Sequence, residues 1–275
     1  APNRLADELS IADYPETTAQ NVSGSLMADR NAIIDWFGRF LPVGFYYRAF
    51  YKPFGVWHWW ERLIRVAAGL GVANLSSTPR YHDKQYLFCD VAVVGAGPAG
   101  LSAALKAADA GASVLLIDEQ PELGGSLTYH RFAIDSDAVR SEAEALIGDV
   151  VSHPRIKVLT HALCNGWFTD HYLPVIQGDR LFKVRAKSCV LATGSSEQHV
   201  VFRNNDLPGV VLCSALERLI NHYAVAPQGK LVVLAGNDQA WMATLTAADA
   251  GLSVAAVVDL RDAPDDKALL AEANA

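Results

Sequence analysis

The feature that most constrains this chain is the run VAVVGAGPAGLSAALKAADAGASVLLIDE, from Val91 to Glu119. An apolar run ends in glycines, an Ala-rich segment follows, and a second apolar run ends in acids. That is the plan of a β-α-β unit. It predicts a buried parallel strand over Val91–Val94, a helix over Leu101–Ala110 stopped by Gly111, and a second strand over Ser113–Ile117. The glycines have separate tasks. Gly95 permits a tight turn, Gly97 lets the backbone approach a pyrophosphate, and Gly100 lets the helix pack close to the strand. The helix start, with Pro98 and Ala99, presents N–H groups and the positive end of the helix dipole to phosphates. Asp118 lies 18 positions beyond Gly100, where a carboxylate accepts the adenosine-ribose hydroxyls and repels a 2′-phosphate. An adenine dinucleotide is expected there, NAD over NADP. The glycine pattern alone is a weak signal. Its strand, helix and acid make it a strong one.

Two further pieces fit this site. LGG at Leu123–Gly125 follows the acidic strand end, and ATG at Ala192–Gly194, with Thr193 and Gly194, ends a later strand. Together they resemble the layout of two-dinucleotide flavoproteins, in which a second nucleotide domain is inserted into the first. The fold class expected is therefore α/β, a Rossmann-like two-dinucleotide-binding flavoprotein fold with an aromatic N-terminal segment. Between these pieces a helix is expected over Asp137–Val151. Short strands are expected near Val158, over Gly166–Thr169, Leu173–Ile176 and Leu181–Arg185, and over Cys189–Ala192.

A second β-α-β plan runs from Lys230 through a helix ending at Ala250 to Val254–Val258, which suggests an internal duplication. Here Gly236 takes the first glycine position, Asp238 the second and Trp241 the third, with Asp259 again 18 positions on. Asp238 puts a negative side chain where a pyrophosphate would sit, and Trp241 crowds the helix–strand contact. This pocket is expected not to bind NAD(P)H in the usual way. The alternative is that Asn237 and Asp238 bind a different polar group.

The N-terminal part reads differently. Residues 1 to about 30 are a polar lead-in, and an aromatic stretch follows from Trp36 to Trp60. Asp35, Arg39, Arg48, Lys52, Glu61 and Arg62 interrupt it, and Pro42 and Pro53 break any long helix, so it is not a membrane span. It is expected to pack on the protein or on a partner subunit. The resulting division is 1–85 as lead-in and aromatic segment, 86–228 as the FAD/NAD(P)-binding Rossmann domain, and 229–275 as a partial, degenerate second unit.

Half of the 275 residues are hydrophobic, enough for a sizeable core, and the net charge of −7 argues against a nucleic-acid partner. The four cysteines, Cys89, Cys164, Cys189 and Cys213, form no C-x-x-C pair and read as free thiols in a reducing cytoplasm. No cysteine pair follows LGG, so disulfide-reductase chemistry is not expected. No motif suggests a metal. His130 and His199 are the residues that could contact a flavin or partner. No acid–base pair stands out, so the catalytic residues stay unassigned. Ala1 in place of Met, and the helical pattern at Ala268–Ala275, read as cut ends of a longer polypeptide.

Beyond these motifs, the chain resembles the α subunits of heterotetrameric sarcosine oxidases. The segments that carry the likeness are APNRLADEL, LPVGFYYRAFYKP, IRVAAGLG, the glycine-turn region through ELGGSL, RAKSCVLATG, FRNNDLPGVVLCSALERLINHYAVAP, and the altered second turn AGNDQAW. PVGFYY and NNDLPGV are far more specific than GAGPAG. The resemblance implies that Gly95, Gly97, Gly100 and Asp118 hold NAD, with Glu119 and Gly125 nearby. It implies amine oxidation at FAD in a β subunit, electron transfer to FMN at the α/β interface and on to oxygen, and small γ and δ subunits. The products would be glycine, hydrogen peroxide, and formaldehyde or a methylene group captured on tetrahydrofolate. A small ferredoxin-like domain and a C-terminal aminomethyltransferase-like domain, both expected in that family, are not in this sequence. Truncation or a short two-domain subunit would each explain that. Related α subunits serve proline and hydroxyproline dehydrogenases, so the amine stays open. Two other readings stand beside this one: a self-sufficient FAD-dependent pyridine nucleotide oxidoreductase, and a nucleotide-binding structural subunit with no redox role.

Overall fold

The computed structural model describes residues 23–25, 28–40, 44, 50, 52–67, 81–131, 136–205, 207, 209–262, 265–266, 269 and 271–272. The chain divides into two compact units, residues 1–79 and 80–275. In the first, a two-residue pair, β1 (Gly24–Ser25) and β2 (Ala28–Asp29), leads into a 3₁₀ stretch over Arg30–Phe40. A helix, α1 (Trp57–Ala67), begins four residues after Pro53, which cannot sit in a helix interior. Trp36, Phe40, Phe54 and Trp59 are exposed, while Phe50 lies against Trp60 in a tilted contact with ring centroids 4.4 Å apart. Phe45, Tyr46, Tyr47 and Tyr51 lie outside the described residues, as do Gly69 and Gly71.

The second unit is built on β3 (Asp83–Val94), α2 (Pro98–Asp109), β4 (Val114–Ile117), α3 (Asp137–Ser152) and β5 (Ile156–Leu159). Then come β6 (Ala162–Cys164), β7 (Tyr172–Gln177) and β8 (Arg180–Leu191). These strands form one six-stranded sheet in the order β5-β4-β3-β8-β7-β6. The first four are mutually parallel and the last two return antiparallel. One sheet face packs against α2 and α3 through Val93, Leu101, Ala104, Leu116 and Val150. The other carries Ala92, Leu115, Ile117, Leu173, Val175, Phe182 and Val184. The strand residues of both clusters are apolar on both faces of the sheet centre, as a covered parallel sheet requires. This is the expected Rossmann-like α/β flavoprotein fold.

Three local expectations are corrected. No strand spans Gly166–Thr169. The strand is β6, and Phe168 makes only a single bridge to Tyr172. The chain turns instead through Thr169–His171, where Asp170 and His171 adopt positive φ and the His171 ring stacks on Trp167. The strands expected at Leu181–Arg185 and Cys189–Ala192 are one strand, β8. The polar stretch Lys187–Ser188 does not end it, because β8 pairs with β3 along nearly its whole length. The register keeps one offset throughout, and Asp90 and Lys187, which face each other across it, form an ion pair at 2.7 Å. The same pairing draws Asp83–Asp90 into β3, a stretch too polar to read as a buried strand.

Beyond β8, a short helix, α4 (Cys213–Glu217), continues as a π-turn over Arg218–His222. The chain then repeats the β-α-β plan with β9 (Lys230–Ala235), α5 (Asp238–Asp249) and β10 (Ser253–Asp259). β9 and β10 pair in parallel. The repeat extends to detail. Helices α2 and α5 are each 12 residues long, and each is stopped by a positive-φ glycine, Gly111 or Gly251.

Candidate functional site

The strand order places β4 and β8 on opposite sides of β3, so the crevice opens at their carboxyl ends. In open α/β sheets, that reversal of strand order is where ligands bind. Gly95–Gly100 leaves β3 there, Asp118 and Glu119 leave β4, and Ala192, Thr193 and Gly194 leave β8. The Gly95 N–H donates to Ile117 O at 2.8 Å, and the Ala192 N–H donates to Val94 O at 2.8 Å. All the expected site residues therefore lie at one end of the sheet. Pro98, Ala99, Glu119, Thr193 and Gly194 are exposed there.

The three glycines are required for different reasons. A Cβ at Gly95 would lie 2.2 Å from the Ala192 carbonyl oxygen, and φ is +100°. At Gly100 it would lie 1.8 Å from the Gly95 carbonyl oxygen. The fold itself demands both. Gly97 has an ordinary φ of −72°, and a Cβ there would meet no protein atom within 4 Å. Nothing among the described residues requires that glycine, whereas a pyrophosphate laid on the turn would. Gly97 is also the N-cap of α2 and contributes no side chain to the first-turn N–H groups, and Pro98 follows it. Those groups and the helix dipole make an anion cradle.

Asp118 closes the cradle. Its carboxylate accepts hydrogen bonds from the N–H groups of Ala96 and of Gln120, the latter at 2.8 Å. Each oxygen keeps lone-pair capacity for ribose hydroxyls. Gly124 N–H donates to Ala96 O at 2.9 Å, and a Cβ on Gly125 would lie 3.0 Å from Gly97 Cα. The LGG turn thus backs onto the glycine turn.

The second β-α-β unit has the same backbone and a different interior. Asp238, at the first position of α5, accepts from the N–H groups of Asp265 (3.1 Å) and Asp266 (2.9 Å) and pairs with Arg261 at 2.9 Å. The Trp241 indole N–H donates to Asp259 at 2.7 Å, and Arg261 bonds Asp259 through three further nitrogens, backbone included. The polar group that Asp238 binds is therefore the chain itself. The Arg261 guanidinium, then the Trp241 indole and the Arg261 amide, hold Asp259 well below the usual carboxylate range. Burial opposes ionisation of Asp238, but Arg261 and the two amides outweigh it and lower its pKa. Groups depressed by folding stabilise the fold above their unfolded pKa of about 4, and that support is lost as pH falls below it. Protection from hydrogen exchange in residues 230–262, relative to the intrinsic rate at each pH, should therefore fall between about pH 4 and pH 2, with Arg261→Met flattening the dependence. An unchanged acid response in that variant would count against this origin.

Sequence reasoning passed over Arg261, although its position two residues after Asp259 was visible. It also missed Glu197, which accepts from the N–H groups of Cys213 (3.1 Å) and Ser214 (2.8 Å) and so caps α4 from afar. No local pattern announces such a pairing. Burial, with Glu197 and Glu217 nearby, pushes the Cys213 thiol up to about 12. Cys89, Cys164 and Cys189 are likewise raised by burial, and all four thiols are free. His199 is exposed. Among the described residues, no group of three His, Cys, Asp or Glu could hold a metal ion, and no helix is long and apolar enough to cross a membrane.

Residues 90–195 match the FAD dependent oxidoreductase family. The chain is 35% identical over 280 residues to the sarcosine oxidase subunit alpha of Rhizobium meliloti (strain 1021), covering 95% of this chain and 28% of that one. Against the sarcosine oxidase subunit alpha of Corynebacterium sp. (strain P-1) it is 35% identical over 209 residues, 70% of this chain and 22% of that one. Among solved structures, L-proline dehydrogenase from P. horikoshii superposes with a TM-score of 0.54 at 29% identity, over 64% of this chain and 36% of that one. The chain thus spans about a quarter of the length of these curated relatives.

Proposed function

We propose that this chain is the dinucleotide-binding part of an α-type subunit in a flavin-dependent, sarcosine oxidase-type amine oxidoreductase, with NAD in the first cradle. The observation that carries the reading is Gly97, a glycine that the protein's own packing does not require, at the mouth of a helix N-terminus. Gly95 and Gly100 shape the turn. Gly97, Pro98, Ala99 and the first turn of α2 receive the pyrophosphate, Asp118 receives the ribose, and Glu119, Gly125, Thr193 and Gly194 border the site. The carboxylate at Asp118 disfavours a 2′-phosphate by charge repulsion.

Amine oxidation, on this reading, belongs to FAD on a β-type partner, with FMN where the subunits meet and small γ and δ subunits completing the assembly. The substrate is sarcosine, released as glycine and formaldehyde or a folate-bound methylene group, with hydrogen peroxide as the reduced product of oxygen. This chain supplies binding and scaffold, and it works in the cytoplasm. Trp36, Phe37, Phe40, Phe54 and Trp59 are exposed, which suits contact with a partner subunit. Proline or hydroxyproline as the amine is the second reading, favoured by the structural likeness to L-proline dehydrogenase.

Mass analysis of nucleotide released from the purified protein tests the cofactor. NAD is expected. Recovery of NADP alone, or of no adenine nucleotide, would defeat the proposal.

A further inference from the structure

The segment that follows the LGG turn is anchored to a carboxylate with no contact with water. Glu217 is 0% exposed, and both of its carboxyl oxygens have hydrogen-bond partners. Its Oε2 lies 2.8 Å from His130 Nδ1, and its Oε1 accepts the Arg131 N–H at 3.3 Å. Burying a carboxylate is costly unless it is paired, and an apolar side chain would fill the same space at less cost.

A continuous set of contacts runs from this group to the cradle. His130 N–H donates to Ser126 O at 3.0 Å, Thr128 Oγ1 to Gly125 O at 2.8 Å, and Leu127 N–H to Gly124 O at 3.1 Å. Gly124 is bonded to Ala96, and Gly125 lies against Gly97. From the other side, Asn221 Nδ2 donates to Tyr129 O at 2.7 Å, and the Arg218 guanidinium sits 4.6 Å over the Tyr129 ring. Glu217, Arg218 and Asn221 all come from the α4 helix and its π-turn. Such turns are uncommon and recur at functional sites.

Resting on the dinucleotide reading above, we infer that Glu217 is a positioning residue for the cradle. It holds His130 and Arg131, and through them fixes the Gly125–Arg131 segment that forms the back of the turn at Gly97. It acts through reach and hydrogen bonding and touches no nucleotide itself.

The test is the Kd for NAD in the full-length protein freed of bound nucleotide, with the melting temperature measured in parallel. Glu217→Gln keeps the reach and an accepting oxygen. Glu217→Asp keeps the charge but shortens the reach. His130→Phe combined with Glu217→Leu removes the pair together, which avoids an orphaned partner on the ring. Glu217→Gln should bind within about threefold of wild type, while Glu217→Asp and the double variant should each lose about tenfold or more without a matching fall in melting temperature. Wild-type affinity in both weakened variants, or weakening that only tracks lost stability, overturns the inference alone. Should the double variant fail to fold, the contrast between Asp and Gln decides. Wild type that binds neither NAD nor ADP overturns the dinucleotide reading together with this one.

Discussion

Gly97→Val should abolish dinucleotide retention while leaving the protein folded. The new side chain enters space that no protein atom occupies within 4 Å of its Cβ, on a backbone at φ −72° and ψ −177° that valine adopts readily. A cap position loses modestly when glycine becomes valine, on the order of 1 kcal/mol, or about 2–4 °C for a unit of this size. Affinity should fall by at least about 100-fold, roughly 2.8 kcal/mol, because the side chain displaces the pyrophosphate from the amides meant to hold it. Gly100→Ala is the contrasting variant. Its Cβ would lie 1.8 Å from the Gly95 carbonyl oxygen, so the turn itself must break and stability and binding should be lost together. Calorimetry with NAD and thermal melts on both variants separate a glycine required by the ligand from one required by the fold. Full NAD affinity in Gly97→Val would remove the main support for the cradle.

On the proposed reading, added NADH should not reduce the flavin of the assembled complex. The second β-α-β unit keeps the scaffold of a nucleotide site, but Asp238, Arg261, Asp259 and Trp241 fill it with a closed set of internal hydrogen bonds and ion pairs. A pyrophosphate arriving there would meet the Asp238 carboxylate at the helix N-terminus and would have to break its bonds to the Asp265 and Asp266 amides. Anaerobic mixing with NADH, followed at the flavin absorbance, should show no bleaching on the timescale on which the amine substrate bleaches it. Rapid bleaching would favour a self-sufficient pyridine nucleotide oxidoreductase.

The β-α-β units and their turns were legible in the sequence because their determinants are local. Apolar runs of four or five residues, an Ala-rich helix and glycines at fixed spacing specify strand, helix and turn through steric and hydrophobic rules that act within about thirty residues. The likeness to sarcosine oxidase α subunits was legible for the same reason, from contiguous motifs. That Asp238 and Trp241 alter the second turn was also readable, since charge and bulk at those positions need no partner to be recognised.

The tertiary structure alone decided what depends on residues far apart in the chain. β3 extends back to Asp83, and β8 runs unbroken across Lys187, because each strand supplies the other's hydrogen bonds. Asp90 and Lys187, 97 positions apart, face each other across that ladder and form an ion pair. The same holds for the carboxylate of Glu217, whose partners His130 and Arg131 lie 87 and 86 residues away, and for Glu197 on the amides of α4. Sequence spacing carries no signal for such pairs, since a buried charge is placed by whichever donor the fold brings within about 3 Å of it. The sequence alone therefore located the glycine turn between strand and helix. Packing showed that a Cβ at Gly97, unlike one at Gly95 or Gly100, would meet no atom of the described residues within 4 Å.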